Sequence, residues 1–257
     1  MELVAKQIDV DGKSLYVEHY KYSEDKPTIV FLHDSLGCVT LWRDFPRLLA
    51  EAIGCNALVY DRLGYGKSAP MLPYERPKHY MELEADVLNN LLSKLDIESA
   101  ILFGHSDGGT IALLTANKYP YRVQKVICEA AHVFVEEVTL KGILEAMDAY
   151  ANTDLPERLE KYHGDKVEML FNAWTKTWTR ADFRDWDIIH LLSNIACPLL
   201  FIQGEADEYG TLAQVDQTIT NVSGKAQKYI IPDVGHTPHK ETPELVLDKV
   251  IAFLAEN

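Results

Sequence analysis

Between an apolar run, Ala100-Ile101-Leu102-Phe103, and a helical pattern from Thr110 to Tyr119, the chain carries Gly104-His105-Ser106-Asp107-Gly108. A G-x-S-x-G pentapeptide in that setting reads as a strand that turns straight into a helix, with the serine at the apex. The two glycines remove side chains where the backbone would otherwise clash, so the serine hydroxyl projects above the sheet edge. Context gives the motif its weight, because a Gly/Ser-rich loop needs no buried strand feeding into it. The fold must therefore supply a strand end, a helix behind it and open space above both.

The rest of the chain offers such a frame. Lys6–Val10 and Leu15–Tyr20 flank Asp11-Gly12 as a hairpin. Thr28–Leu32 and Ala57–Tyr60 are short continuous apolar runs, as expected of strands buried on both faces. Arg43–Ile53 and Tyr80–Leu95 have helical spacing, and Val123–Cys128 reads as the strand after the pentapeptide helix. The alternation stops from about 132 to 194, where the pattern is helical or irregular and holds Trp174, Trp178 and Trp186. It resumes with strands Pro198–Ile202 and Gln227–Ile231 and helices near Leu212–Thr220 and Pro243–Leu254. This predicts an α/β fold, a mostly parallel sheet flanked by helices. Residues 1–131 and 196–257 form the core, and 132–195 form an inserted helical cap over the strand ends.

Composition excludes some functions. With 25 Lys+Arg against 39 Asp+Glu the net charge is −14, which opposes binding to a phosphate backbone, so no nucleic-acid partner is expected. A neutral or cationic small molecule meets a friendlier field. The cysteines at 38, 55, 128 and 197 are scattered without metal-ligand spacing, which suits reduced thiols in the cytoplasm. No segment has the length of a membrane span, and nothing calls for a metal or an organic cofactor.

A serine at such an apex needs a base to take its proton, and the base should come from the loop after the last strand. His236 lies there, in Pro232-Asp233-Val234-Gly235-His236; His239 is the rival, and Gly235 favours His236 by letting the loop bend back. The acid should follow the preceding strand, where Glu205, Asp207 and Glu208 compete; Asp207 is selected because the chain must first clear the sheet edge through Gly204. Its role would be to fix the histidine tautomer and stabilise the imidazolium. Two backbone N–H groups complete the set, that of Asp107 and one from His33-Asp34-Ser35-Leu36-Gly37, most simply Ser35. Asp61 and Arg62 read as a structural pair tying loops at a strand end, and Cys38 as packing.

At this point the chain resembles the α/β-hydrolase-fold serine hydrolases over nearly its whole length. The His33–Gly37 loop, Asp61-Arg62-Leu63-Gly64-Tyr65-Gly66-Lys67-Ser68, the Ser106 turn, Gly204-Glu205-Ala206-Asp207 and Gly235-His236 occur in that family's order. The Asp after the serine, Lys118-Tyr119-Pro120 and the cap's Trp-bearing helix, with Trp174, are most similar to the valacyclovir-hydrolase (biphenyl-hydrolase-like) branch. The resemblance implies hydrolysis of a small carboxylic ester, an α-amino-acid ester in that branch, with the carboxylate of Asp107 gripping the substrate's ammonium. The other reading of Asp107 is a carboxylate favoured by a helix N-terminus, worth about 0.3–1 kcal/mol. One departure stands out. The family's early loop reads His-Gly, whereas here it reads His33-Asp34. Asp34 either leaves the loop unchanged, since Asp tolerates left-handed backbone angles, or adds a second carboxylate beside the substrate. Carbon–carbon bond hydrolases, cofactor-free perhydrolases and non-catalytic receptors share this frame.

Overall fold

The computed structural model describes residues 1–72 and 74–256. Strands β1 (Glu2–Val10) and β2 (Lys13–Lys21) form the expected hairpin, longer than its apolar residues suggest, around Asp11 and Gly12, both at positive φ. Strand β3 (Thr28–Leu32) is buried at every position, as its unbroken apolar run requires. The helix expected from Arg43 begins later. A 3₁₀ turn covers Val39–Trp42, Arg43 sits at φ 51°, and α1 (Phe45–Ile53) starts where Pro46 is tolerated, in a first turn.

Strand β4 (Asn56–Tyr60), helix α2 (Tyr80–Lys94), strand β5 (Ala100–His105), helix α3 (Asp107–Lys118) and strand β6 (Val123–Glu129) continue the alternation. After β6 come α4 (Glu137–Asn152), α5 (Leu155–His163) and α6 (Val167–Trp178), then 3₁₀ turns at Ala181–Phe183 and Ile189–Asn194. The sheet resumes with β7 (Leu199–Gly204), α7 (Leu212–Asn221) and β8 (Ala226–Ile231), and the described chain closes through α8 (Pro238–Glu241) and α9 (Pro243–Ala255). The eight strands lie in the order β1-β2-β4-β3-β5-β6-β7-β8. Only the pairings of β1 with β2 and β2 with β4 are antiparallel; the six-stranded remainder is parallel. The sheet is thus mostly parallel and flanked by helices, as the sequence pattern predicts.

Two apolar layers clamp it. Leu49, Val246, Val250 and Phe253 of α1 and α9 pack on one face with Phe31 and Phe103; Leu88, Leu91, Ile111 and Leu114 of α2 and α3 pack on the other with Leu58 and Leu102. The segment between β6 and β7 has its own aromatic cluster, with Phe183 stacked on Trp186 at 5.4 Å and Trp178 at 5.1 Å from Phe183. It is also fastened to the core. His163 Nε2 meets the Leu36 carbonyl at 3.0 Å, its Nδ1 accepts from the Gly66 N–H, and Lys166 donates to the carbonyls of Gly66 and Ser68.

Candidate active site

The parallel strands all deliver their C-terminal ends to one edge of the sheet, and the polar side chains converge there. Ser106 stands between β5 and α3 at φ 54°, ψ −120°, a strained conformation for a residue with a side chain. A Cβ on Gly104 would lie 2.1 Å from the Gly108 carbonyl oxygen, and one on Gly108 would lie 2.0 Å from that of Leu32. Glycine is therefore required at both positions by close backbone approach, not by φ.

His236 Nε2 lies 2.9 Å from Ser106 Oγ, and its Nδ1 lies 2.9 Å from each oxygen of Asp207. An ionised carboxylate only accepts, so Nδ1 carries the proton and Nε2 is free to accept from the serine hydroxyl. Asp207 also accepts from the N–H groups of Tyr209 and Gly210 and from Gln203 Nε2. Burial would raise its carboxyl, but His236 and the Tyr209 N–H hold it below the usual carboxylate range. The turn into His236 is not made at Gly235. Asp233, at φ 57°, carries the left-handed bend, and Gly235 donates its N–H to Glu241 Oε2.

The rivals lie elsewhere. His239 is buried, its Nδ1 2.7 Å from Glu129 Oε1 and its ring 4.5 Å from that of Trp42. Glu205 is exposed, and Glu208, also exposed, accepts from the His236 N–H through Oε2. Asp61 and Arg62 do not pair with each other. Asp61 accepts from the N–H groups of Val39 and Lys67, which ties the 3₁₀ turn to the loop after β4. Arg62 instead donates to the Asp34 carbonyl at 2.8 Å and faces Asp107 Oδ2 at 3.5 Å.

Asp107, the first residue of α3, leaves its N–H without an intrahelical partner, as every helix start does. Its buried side chain caps nothing. Besides Arg62 it meets the Tyr80 hydroxyl at 3.1 Å, and that hydroxyl in turn accepts from Trp178 Nε1. Across from it the loop after β3 brings Asp34, Ser35 and Leu36 to the rim of a cavity of about 250 Å³. Ser106, Asp107, His236, Trp174, Trp178 and Glu208 share that lining, in which three carboxylates appear and no lysine or arginine. Asp34 is not at positive φ, so left-handed tolerance is not what its position uses.

His132 and Tyr209 of the cavity escape the motif reading. His132 follows the end of β6; its Nε2 is 3.0 Å from the Tyr209 carbonyl and so carries the proton, and burial holds the ring neutral, below its usual pKa. Tyr209 lies 4.8 Å from the His236 ring and 6.3 Å from Trp174. Glu208, weighed above as the acid, lies in the lining instead. The one available signal for His132 and Tyr209 is position just past a strand end, where parallel sheets gather ligands. His105, Glu129 and His239 form a buried cluster with donor atoms within 4.8 Å of one another. No described helix is long and apolar enough to cross a membrane.

Known proteins are similar to this frame. The alpha/beta hydrolase fold family matches residues 27–190. Serine hydrolase BPHL of Homo sapiens is 28% identical over 190 residues, 72% of this chain and 64% of that protein, and its Mus musculus counterpart is 27% identical over 71% and 63%. The match thus spans just under two thirds of those relatives' length. Among solved structures, 2-hydroxy-6-oxo-6-phenylhexa-2,4-dienoate hydrolase from Rhodococcus sp. strain RHA1 superposes with a TM-score of 0.83 over 99% of both chains at 15% identity, a likeness of fold.

Proposed function

Because the chain belongs to the alpha/beta hydrolase fold family, we propose that it is a serine hydrolase that cleaves small carboxylic esters through an acyl-enzyme. One observation carries the reading: Ser106 Oγ, His236 and Asp207 form a continuous hydrogen-bonded chain that opens onto a cavity. In the first step Ser106 Oγ attacks the ester carbonyl while His236 Nε2 takes its proton and Asp207 stabilises the imidazolium. The N–H groups of Ser35 and Asp107 receive the oxyanion, His236 returns the proton to the leaving alcohol, and water activated by the same ring releases the acid. Residues 132–195 act as the cap that selects the substrate, with Trp174 in its wall.

The substrate class we favour is an α-amino-acid ester. The partners of the Asp107 carboxylate described above meet Oδ2, which leaves Oδ1 for an ammonium. Asp34 and Glu208 add negative charge to a lining without lysine or arginine. The human and mouse relatives, named serine hydrolases, support the reaction type. The four free cysteines, three of them buried, suit a reducing compartment such as the cytoplasm. A fluorophosphonate probe tests the nucleophile: it should label the wild type and not Ser106→Ala. Equal labelling of both proteins would sink the assignment and leave a hydrolase-like receptor or a different nucleophile.

A further inference from the structure

Directly behind Ser106, the ends of β3, β5 and β6 hold polar groups that the chemistry above does not use. His105 Nε2 stands 2.8 Å from the carbonyl oxygen of His236. A carbonyl only accepts, so this nitrogen carries a proton. A neutral ring would then turn an Nδ1 lone pair toward Asp34 Oδ1, 3.7 Å away, while one of its nitrogens lies within 4.8 Å of a carboxylate oxygen of the buried Glu129. Those two groups have no proton to donate when ionised. Among the described residues, Nδ1 of His105 and Oε2 of Glu129 are both buried without a hydrogen-bond partner. One proton on Nδ1 turns the repulsion into attraction for both carboxylates. The other Glu129 oxygen is already served by His239, through Nδ1 at 2.7 Å and the backbone N–H at 3.2 Å.

We propose that His105 is a buried imidazolium held between Asp34 and Glu129, and that it is a positioning residue joining the His236 loop to the oxyanion loop. One end of the ring grips the His236 carbonyl, and the other anchors the loop that presents Ser35. The proposal rests on the catalytic reading of those two loops. The Asp34 carboxylate is itself held in place, since its Oδ2 accepts from the Leu36 N–H at 3.4 Å and a Cβ on Gly37 would lie 2.0 Å from Oδ1. A glycine at 34 would leave the imidazolium with one carboxylate. Burial works against a charged His105, yet Asp34 and Glu129 raise its pKa above the ordinary value. Of the remaining groups around the ring, Lys240 opposes the charge, His239 is held neutral by burial, and His236 offers its carbonyl. A metal ion is the competing occupant of His105, Glu129 and His239. Two ligands of one tetrahedral zinc stand roughly 3.3 Å apart, whereas the 2.7 Å between His239 Nδ1 and Glu129 Oε1 is the spacing of a shared proton.

The test is nitrogen-15 NMR of the histidine rings in wild type and Asp34→Asn. At pH 7.5 His105 should have both ring nitrogens protonated, and Asp34→Asn should lower its measured pKa. With a neutral des-amino ester, Asp34→Asn should reduce kcat about tenfold to hundredfold with KM changed less than about threefold, the pattern of misplaced catalytic groups. His105→Gln, which keeps an amide N–H for the His236 carbonyl, should recover part of the kcat lost in His105→Leu. An unprotonated Nδ1 in the wild type at pH 7.5, or a His105 pKa indifferent to Asp34→Asn, overturns the proposal. So does one equivalent of firmly bound metal in the purified protein. The NMR result stands apart from the hydrolase reading, which fails on Ser106→Ala labelling alone.

Discussion

Two acid–histidine pairs sit at the same edge of the sheet, and they differ in what surrounds them. Asp207–His236 and Glu129–His239 have similar contacts, 2.9 Å and 2.7 Å, and each carboxylate lies at or just past a strand end. The His236 side chain is 12% exposed and its second nitrogen meets Ser106 beside a cavity; the His239 side chain is 2% exposed and its ring lies against Trp42 and Phe45. The pair geometry alone is thus no signature of chemistry. What separates them is contact with the Ser106 hydroxyl and with the cavity, while the sealed pair is suited to holding structure. On that view the first pair should be replaceable with little loss of stability and great loss of turnover, and the second the reverse.

The largest effect should come from the open pair. His236→Ala and Ser106→Ala should each lower kcat for an activated ester by about 10⁴-fold or more, by analogy with other triads, with urea midpoints close to wild type. His239→Ala should instead take ring and packing contacts from the Glu129 side of the sheet, chiefly the hydrogen bond to its buried carboxylate, and cost about 1–3 kcal/mol of stability, while the folded fraction turns over substrate within about tenfold of wild type. Urea titration and steady-state kinetics on the three variants decide it. A His239→Ala protein of wild-type stability, or one as inactive as His236→Ala, would erase the contrast.

That some of these site residues are legible in the sequence and others are not has a physical cause. Ser106, Asp207 and His236, which the fold brings together, each follow a strand whose apolar run is legible by itself, so their placement needs only local pattern and the order of strands. His239 is a fair rival at that level because three residues of loop do not reveal which ring turns inward. The partners of Asp107 are not legible. Arg62 and Tyr80 reach it from the loop after β4 and from α2, with Trp178 of α6 holding the Tyr80 hydroxyl in turn, and no local signal couples positions so far apart. Sequence pattern therefore pairs Arg62 with its neighbour Asp61, although adjacent residues with buried backbones here face different loops. It likewise credits Gly235 with a bend that Asp233 makes, since a glycine permits a positive φ without requiring one.

A middle-sized effect concerns the cavity side of the open pair. If Asp107 Oδ1 meets an ammonium, an α-amino p-nitrophenyl ester should exceed its des-amino analogue in kcat/KM by about tenfold or more, since the analogue leaves that oxygen without a partner. Asp107→Asn should remove most of that preference and keep the backbone N–H. The same change weakens the carboxylate's contacts with Arg62 and Tyr80, so its activity on the des-amino ester is the internal control. Equal kcat/KM for the two esters in the wild type would leave a general carboxylesterase.

The smallest effect sharpens the sealed pair. Burial lowers the pKa of His239, as it does for His33, His132 and His163, so each is neutral in the fold. In the unfolded chain each regains an ordinary pKa near 6.5. A lowered folded pKa means that the unfolded state binds more protons as pH falls below that value, so stability should decline from pH 7.5 toward pH 5.5. One such histidine contributes at most about 1.4 kcal/mol to the decline over that window, the full amount only if its folded pKa lies well below 5.5. His239→Gln offers Glu129 an amide N–H but cannot titrate. It should start less stable than wild type and yet lose less stability between the two pH values, by up to about 1.4 kcal/mol. Denaturation curves at both pH values measure the difference. An undiminished slope in His239→Gln would mean that His239 shares the charge of the cluster instead of staying neutral beside Glu129.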